Sequence, residues 1–138
     1  MGKSELKSSI LLSIFRRKGG EGHFTKIIDS GEIQGQEEQP LLSFRQDDSN
    51  WTTITNTRVF GENEGVKLSI PFVDLVDVLP AFKQEFKDRI TNMNDFTRLA
   101  LSIRNGDTCI IKVEKGAPYQ GFLQVLHFAV SKSRIDGN

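Results

Sequence analysis

The chain has 138 residues, 37% hydrophobic and 26% charged, which is the composition of one globular domain and not of a disordered chain. Eighteen basic residues balance eighteen acidic ones, so the formal net charge is zero and no overall positive field attracts nucleic acid or an anionic membrane. We therefore expect no nucleic-acid partner, and membrane contact that is weak at most.

The amino-terminal region indicates a cytoplasmic protein. Its apolar run, Ile10–Phe15, is shorter than the ~20 residues that a membrane span needs, and it lacks the small-residue cleavage site of a signal peptide. Leu6 stands where a myristoylation signal has Ser or Thr. Cys109 is the only cysteine, so no intrachain disulfide forms, as suits a reducing compartment.

Residues 4–18 have the periodicity of an amphipathic helix that ends at Gly19–Gly20. Its apolar stripe consists of Leu6, Ile10, Leu11, Ile14 and Phe15. The polar residues that follow, up to Gln39, are predicted to form a flexible connection. We therefore divide the chain into an N-terminal helical arm and linker, 1–30, and a main domain, 31–138.

From Pro40 onward the hydrophobic period changes to two, which indicates β-strands. The predicted strands are Leu41–Phe44, Trp51–Phe60, Val66–Ile70 and Val73–Leu79, with turns over 46–50 and 61–65. Pro80–Ile90 is predicted as a short helix, because Phe82, Phe86 and Ile90 recur at intervals of four.

The last third of the chain predicts a hairpin and a closing helix. Asn105–Gly106 is a strong hairpin signal between an alternating strand at Leu99–Ile103 and its partner Thr108–Glu114. Residues 118–132 carry one wide apolar face, formed by Tyr119, Phe122, Leu123, Leu126, Ala129 and Val130. The element order predicts an α+β fold in which a bent sheet or partly open barrel is plugged at one end.

Three segments carry a resemblance to a known family: Leu41–Phe44, Trp51–Phe60 with its Thr-Asn-Thr-Arg run, and Ile70–Phe72. Together with the closing helix they resemble bacterial pleckstrin-homology-like domains over about residues 31–133. The resemblance implies a bent antiparallel β-barrel of about seven strands, capped by a C-terminal helix. It also implies a binding or scaffolding role without enzymatic activity.

Some eukaryotic relatives of that family bind phosphoinositides through Lys and Arg around the loop between the first two strands. The matching loop here, Gln46–Asn50, contains Asp47 and Asp48 and no basic residue. Two carboxylates repel a phosphate group, so no phosphoinositide binding is expected.

The residue pattern does not favour catalysis. A nucleophilic Cys109 would need His23 or His127 as its base, but Cys109 alternates with Ile111 and Val113 on one strand face, which favours a core thiol. The two histidines and the cysteine lie too far apart in sequence for a recognisable zinc site, and Gly19–Gly22 lacks the Lys-Ser/Thr of a P-loop. We expect no cofactor, with a Cys-dependent enzyme as the least favoured alternative.

Three polar or aromatic residues form a candidate polar site: Trp51, Asn56 and Arg58. Asn56 and Arg58 are predicted to lie in the middle of a central strand, where polar side chains need partners. A structural network is favoured over a ligand contact for this pair, and a core or barrel-end position is favoured for Trp51.

Gly121, Val125 and Phe128 lie on the closing helix opposite its core face, where the helix of a lone protein is normally polar. We expect this strip to be covered by the protein's own arm, by the arm of another subunit, or by a membrane surface that Arg16–Lys18 would attract. The sequence thus predicts a module for protein–protein interaction or self-assembly, with a homo-oligomer expected. A membrane-surface adaptor that uses the arm is the alternative.

Overall fold

The computed structural model describes residues 8–17, 26–27 and 40–136, and it has an α+β fold with two antiparallel sheets and a long C-terminal helix. The elements are α1 (Ser8–Arg17), β1 (Lys26–Ile27), β2 (Pro40–Asp47), β3 (Asn50–Thr55), β4 (Arg58–Asn63), β5 (Val66–Pro71), β6 (Leu75–Pro80), α2 (Phe82–Lys87), β7 (Arg98–Ile103), β8 (Thr108–Lys112) and α3 (Ala117–Asp136). The predicted α+β class is confirmed. Over these residues the two sheets stay separate and do not close into a barrel.

The first sheet has the order β1-β2-β3-β4-β5, and a row of apolar side chains crosses its inner face. Leu42 lies opposite Ile54, Ile54 opposite Val59, and Val59 opposite Ile70, and all four are buried. The side chains of a strand alternate between its two faces, so this row fixes the register of the sheet. Lys26–Ile27, in the predicted flexible connection, pairs with β2 as a short strand.

The single strand predicted over Trp51–Phe60 is wrong, because the chain turns at Asn56–Thr57. The hydroxyl of Thr55 accepts hydrogen bonds from the backbone N–H groups of Thr57 and Arg58, both at 3.0 Å. Such side-chain-to-backbone bonds compete with the sheet ladder and stabilise a turn. Asn56 therefore lies in a hairpin turn and not in the middle of a strand.

The two polar turns of this sheet are shorter than the sequence predicts. Strand β2 continues to Asp47 and β4 to Asn63, so only Asp48–Ser49 and Glu64–Gly65 connect the strands. Gly61 belongs to β4, where a Cβ atom would lie 2.2 Å from the carbonyl oxygen of Trp51. This glycine allows a close approach of two strands and is not a turn residue.

The second sheet has the order β6-β7-β8, and its predicted hairpin is confirmed. Leu101 lies opposite Cys109 and Leu99 opposite Ile111, with Gly106 at φ 97° in the connection. Cys109 is half-buried and packs against the core, so the expected core thiol lies at the edge of the core and not inside it. It lies two residues nearer the turn of the hairpin than Ile111, which is buried.

Helix α3 closes the fold and begins at Ala117, close to the predicted start, but it continues to Asp136. Its predicted core face is confirmed, since all six of its residues are buried. The helix packs against β6 on one side and α1 on another. Nε2 of His127 lies 2.9 Å from the carbonyl oxygen of Val78, which ties α3 to strand β6.

Candidate functional site

The predicted interaction strip on α3 is covered by the protein's own helix α1. Leu11 and Phe15 are fully buried, and the rings of Phe15 and Phe122 meet edge to face with their centroids 5.8 Å apart. Phe15 packs directly on Gly121, and only a glycine leaves room for it, because a Cβ atom at residue 121 would lie 2.6 Å from Cδ1 of Phe15. Val125 is fully buried as well.

Most of the predicted apolar surface is therefore satisfied within one chain. Ile14 and Phe128 are half-buried and pack against the core, while Ile10 remains 40% exposed. Leu6 lies outside the described residues. Of the three occupants proposed for this strip, the arm of the same chain is the one present.

Trp51 and Arg58 come together on the outer face of the first sheet, joined by Phe60. The rings of Trp51 and Phe60 meet edge to face at 5.8 Å, and the guanidinium of Arg58 lies 4.2 Å from the centre of the Phe60 ring. The indole N–H of Trp51 donates to Glu62 at 3.3 Å, and Nη1 of Arg58 donates to Ser69 Oγ at 2.7 Å. For Arg58 these contacts fit the structural network that the sequence favoured, whereas Trp51, for which a core or barrel-end position was favoured, is half-buried on the sheet.

Asn56 lies apart from this outer-face cluster. Its side chain is buried in the turn between β3 and β4. Two of the three candidate polar residues therefore join an aromatic network, and the third is buried in a hairpin turn. Sequence reasoning missed Phe60, although its position two residues after Arg58 places both on one strand face.

Cys109 and His127 are not brought together as a nucleophile and its base. Burial, followed by the negative charge of Asp107, raises the pKa of the Cys109 thiol. The ring of His127 contacts the Val78 carbonyl. A thiol that stays protonated is a poor nucleophile.

The loop matched to a phosphoinositide site keeps its carboxylates engaged within the loop. Asp47 Oδ1 accepts from the Ser49 backbone N–H at 2.9 Å and from Asn50 Nδ2 at 3.1 Å, and these bonds lower the pKa of Asp47. Arg45 forms an ion pair with Asp48. The turn therefore presents acidic groups, and the nearby guanidinium of Arg45 is already paired with Asp48.

The short helix predicted over residues 80–90 is confirmed over its central part as α2. Phe82 and Phe86 are 42% and 53% exposed, whereas the residue of α2 that is fully buried is Glu85. The helix therefore buries a carboxylate and exposes the two aromatic side chains whose spacing indicated it. The helix has only six residues, so the neighbouring strand dictates which side is buried, and that strand offers hydrogen-bond donors.

Glu85 anchors α2 to the start of β7. Its Oε2 accepts hydrogen bonds from the backbone N–H groups of Thr97, at 2.9 Å, and Arg98, at 2.7 Å. Its Oε1 accepts from Arg98 Nη2 at 3.2 Å, and the same nitrogen donates to Asp88 at 2.6 Å. A carboxylate with this many donors is a satisfied buried charge, and it fixes the orientation of the helix.

The orientation fixed by Glu85 turns the side chains of Phe82 and Phe86 outward, and these two residues are called the α2 patch. Each of its members is at least 42% exposed. The patch has a rigid base, because the rings of Phe82 and Phe86 both lie against buried Phe96, at 5.8 and 6.2 Å. Phe96 in turn packs against Tyr119 of α3. The cationic residues Lys83, Lys87 and Arg89 are exposed on the same segment.

In the part of the chain that the structure describes, no three His, Cys, Asp or Glu residues are grouped so that they could hold a metal ion. Within those same ranges, no helix has both the length and the apolar character to cross a membrane.

Compared with family models, with curated proteins and with solved structures, the chain matches none of them.

Proposed function

We propose that the chain is a non-enzymatic binding module whose main docking surface for a protein partner is the α2 patch. The observation that carries the proposal is the exposure of Phe82 and Phe86 on a helix held in place by a buried carboxylate. Aromatic side chains on a rigid support are the residues that contribute most at protein interfaces, because little conformational entropy is lost when a partner covers them.

The energy available at this patch is substantial. Covering a fully exposed Phe side chain is worth about 1.5–3 kcal/mol, and the two phenylalanines here begin roughly half exposed. Lys83, Lys87 and Arg89 would form a charged rim around the apolar centre, as is usual in protein interfaces. The partner we infer is a protein with an apolar pocket bordered by acidic residues.

We also propose the pleckstrin-homology-like arrangement as the fold family, with α1 as an N-terminal arm. The support is the chain order: long antiparallel strands in one sheet, then a three-stranded sheet, then a helix that packs on the second sheet. This order agrees with the resemblance in residues 41–72. A binding or scaffolding role is what that resemblance implies.

The test is quantitative capture from the cells that express the chain, with Phe82→Ser/Phe86→Ser as the variant. The matched control is Ile10→Ser/Val73→Ser, which also replaces two exposed apolar residues but lies outside the patch. We expect one protein to be retained by the unaltered chain and by the control and to be lost from the patch variant. Equal recovery with all three chains, or no retained protein at all, contradicts the proposal.

A membrane surface is the second candidate partner, and the three exposed cations beside Phe82 and Phe86 favour it. Attachment by the apolar face of α1 is less favoured, because Leu11 and Phe15 are already buried against α3. Flotation with vesicles containing phosphatidylserine separates the two modes. Binding lost in the patch variant assigns the membrane to α2, and binding lost only on deletion of residues 1–18 assigns it to the arm.

A further inference from the structure

Strand β5 is an edge strand of the first sheet. The turn that connects it to β4 determines which main-chain groups of β5 point away from β4. The two-residue turn Glu64–Gly65, with φ values of 52° and 84°, makes Asn63 and Val66 the first pair of the hairpin. In such hairpins the first pair is hydrogen-bonded, and hydrogen-bonded and non-bonded pairs then alternate. The backbone N–H and C=O groups of Lys67 and Ser69 therefore point outward.

The other edge strands differ from β5. At the opposite edge of the first sheet β1 has only 2 residues, and very short edge strands offer little for another strand to pair with. The Thr52 hydroxyl donates to the Lys112 carbonyl of β8 at 2.8 Å, and His127 contacts the Val78 carbonyl of β6. Among the described residues, neither a strand nor a side chain bonds to the outward main-chain groups of β5. An edge left in this state is a template for another strand.

We propose that β5 pairs antiparallel with β5 of a second copy of the chain, about a two-fold axis through Leu68. In this register Lys67 of each copy lies opposite Ser69 of the other. Each of these two Lys67–Ser69 pairs exchanges two backbone hydrogen bonds, so the outward N–H groups of both residues find carbonyl acceptors. Two five-stranded sheets become one continuous sheet.

The side chains of β5 agree with the same register. On the inner face, Leu68 meets Leu68 of the second copy and Val66 meets Ile70. This pairing covers Val66, which at 68% is the most exposed of the large apolar residues that the structure describes. On the outer face, Lys67 faces a serine, so no like charges lie directly opposite.

Pro71 limits the pairing to a discrete dimer. It has no N–H group and lies beyond the paired residues 66–70, so it cannot extend the ladder. A two-fold contact uses both β5 edges and leaves none for a third copy. This inference goes beyond the proposed function, because it uses a surface distinct from the α2 patch and would give each dimer two such patches.

Sedimentation of the full chain tests the dimer with Ser69→Pro and Ser69→Ala. Both substitutions remove the hydroxyl that accepts from Arg58, but only proline removes the outward N–H. This N–H has no role in the β4–β5 ladder, so the folded chain tolerates proline at an edge. We expect concentration-dependent dimers for the unaltered chain and S69A, and a dimer dissociation constant raised at least about tenfold for S69P. A chain that stays monomeric at all attainable concentrations, or equal dimers for S69A and S69P, overturns the proposal.

A cross-link tests the register even if S69P fails to fold. In a Cys109→Ser background, Leu68→Cys places two thiols opposite each other at a non-hydrogen-bonded pair, where Cα atoms lie about 4.5 Å apart and a disulfide can form. Val66→Cys is the control, because it faces Ile70 instead of itself. We expect L68C to form a covalent dimer much faster than V66C, and similar rates would overturn the register. Neither result depends on Phe82 or Phe86, so failure here is distinguishable from failure of the α2 patch.

Discussion

The ring of Phe15 lies directly against Gly121, and a methyl group on residue 121 would come within 2.6 Å of the ring atom Cδ1. This contact decides whether the apolar strip on α3 is covered by the chain's own helix. It links a residue before the sheets to one after them, and the pair explains why a glycine stands in the first half of a long helix.

Gly121→Ala is expected to loosen α1 while the two sheets remain folded. The added methyl group overpacks a well-filled contact, which costs about 1–3 kcal/mol. Hydrogen exchange of the α1 amides measures the loss of protection, and amides in β7 serve as the internal reference. The double variant Phe15→Leu/Gly121→Ala removes ring atoms from the clash and should recover part of the protection. Unchanged hydrogen exchange of the α1 amides in G121A would show that the packing of α1 on α3 does not require a glycine at residue 121.

Glu85→Gln is expected to destabilise the chain strongly, by about 3 kcal/mol, because it leaves a mostly buried guanidinium with a weakened partner. The amide also keeps only one acceptor oxygen where the carboxylate has two, and these accept three hydrogen bonds in the native structure. Urea unfolding gives the measurement. Asp88→Asn is the matched control: its side chain is 54% exposed, so we expect a loss below about 1 kcal/mol. Equal losses in the two variants would mean that Glu85 does not anchor α2.

The stability contributed by Tyr119 is expected to fall at alkaline pH. Burial, and then the charge of Glu85, raise the pKa of Tyr119 well above its ordinary value of 10.0, and its hydroxyl donates to the Arg98 carbonyl at 2.8 Å. Above pH 10.0 the unfolded chain loses the phenol proton while the folded chain keeps it, so the folded state loses stability as pH rises.

Tyr119→Phe isolates this effect. At neutral pH the variant should be less stable by about 1–3 kcal/mol, because the Arg98 carbonyl loses its donor. Between pH 10.0 and the raised pKa the difference should shrink by about 1.4 kcal/mol for each pH unit. Unfolding of both chains across pH 8–12 gives the comparison. A difference that stays constant with pH would mean that Tyr119 ionises equally in both states.

Hydrophobic periodicity was sufficient to predict β2, β5, the second hairpin and α3, because those elements bury one face against a large core. Leu99 with Ile111 and Tyr119 with Phe122 follow that rule. At α2 periodicity predicted the helix but not its buried side, because Glu85 accepts hydrogen bonds from two backbone N–H groups and an arginine side chain that lie 12 and 13 residues away. No local pattern contains those donors, so the sequence could not indicate that a glutamate is buried and two phenylalanines are exposed.

The candidate polar site failed for a different reason. Trp51–Phe60 has a continuous β-type composition, and the break in it depends on the Thr55 hydroxyl bonding to the backbone of Thr57 and Arg58. A threonine supports either a strand or a turn, and only the pairing of the two flanking strands decides between them. From the sequence, the chain's own arm was one of three candidates to cover the apolar strip on α3. A second apolar strip on a helix indicates that some surface covers it, but it does not identify that surface.

The thiol of Cys109 is expected to react slowly with an aromatic disulfide reagent in the folded chain. The thiolate is the reactive species, and both burial and the charge of Asp107 raise the pKa of Cys109 above its ordinary value of 9.0. At pH 7 the rate should be lower than that of the same chain in urea, and it should increase as pH rises through the range where the thiol ionises.

Asp107→Asn tests the electrostatic part of this shift. The substitution removes a charge near the thiol, and the hydrogen bond from the Asp107 backbone to Asn105 remains available to hold the turn. We expect a modestly faster reaction than in the unaltered chain, and no change in Asp95→Asn, an exposed carboxylate outside that turn. A native thiol that reacts at pH 7 at least as fast as the unfolded one would instead favour the Cys-dependent enzyme, because activation of a thiol requires a lowered pKa.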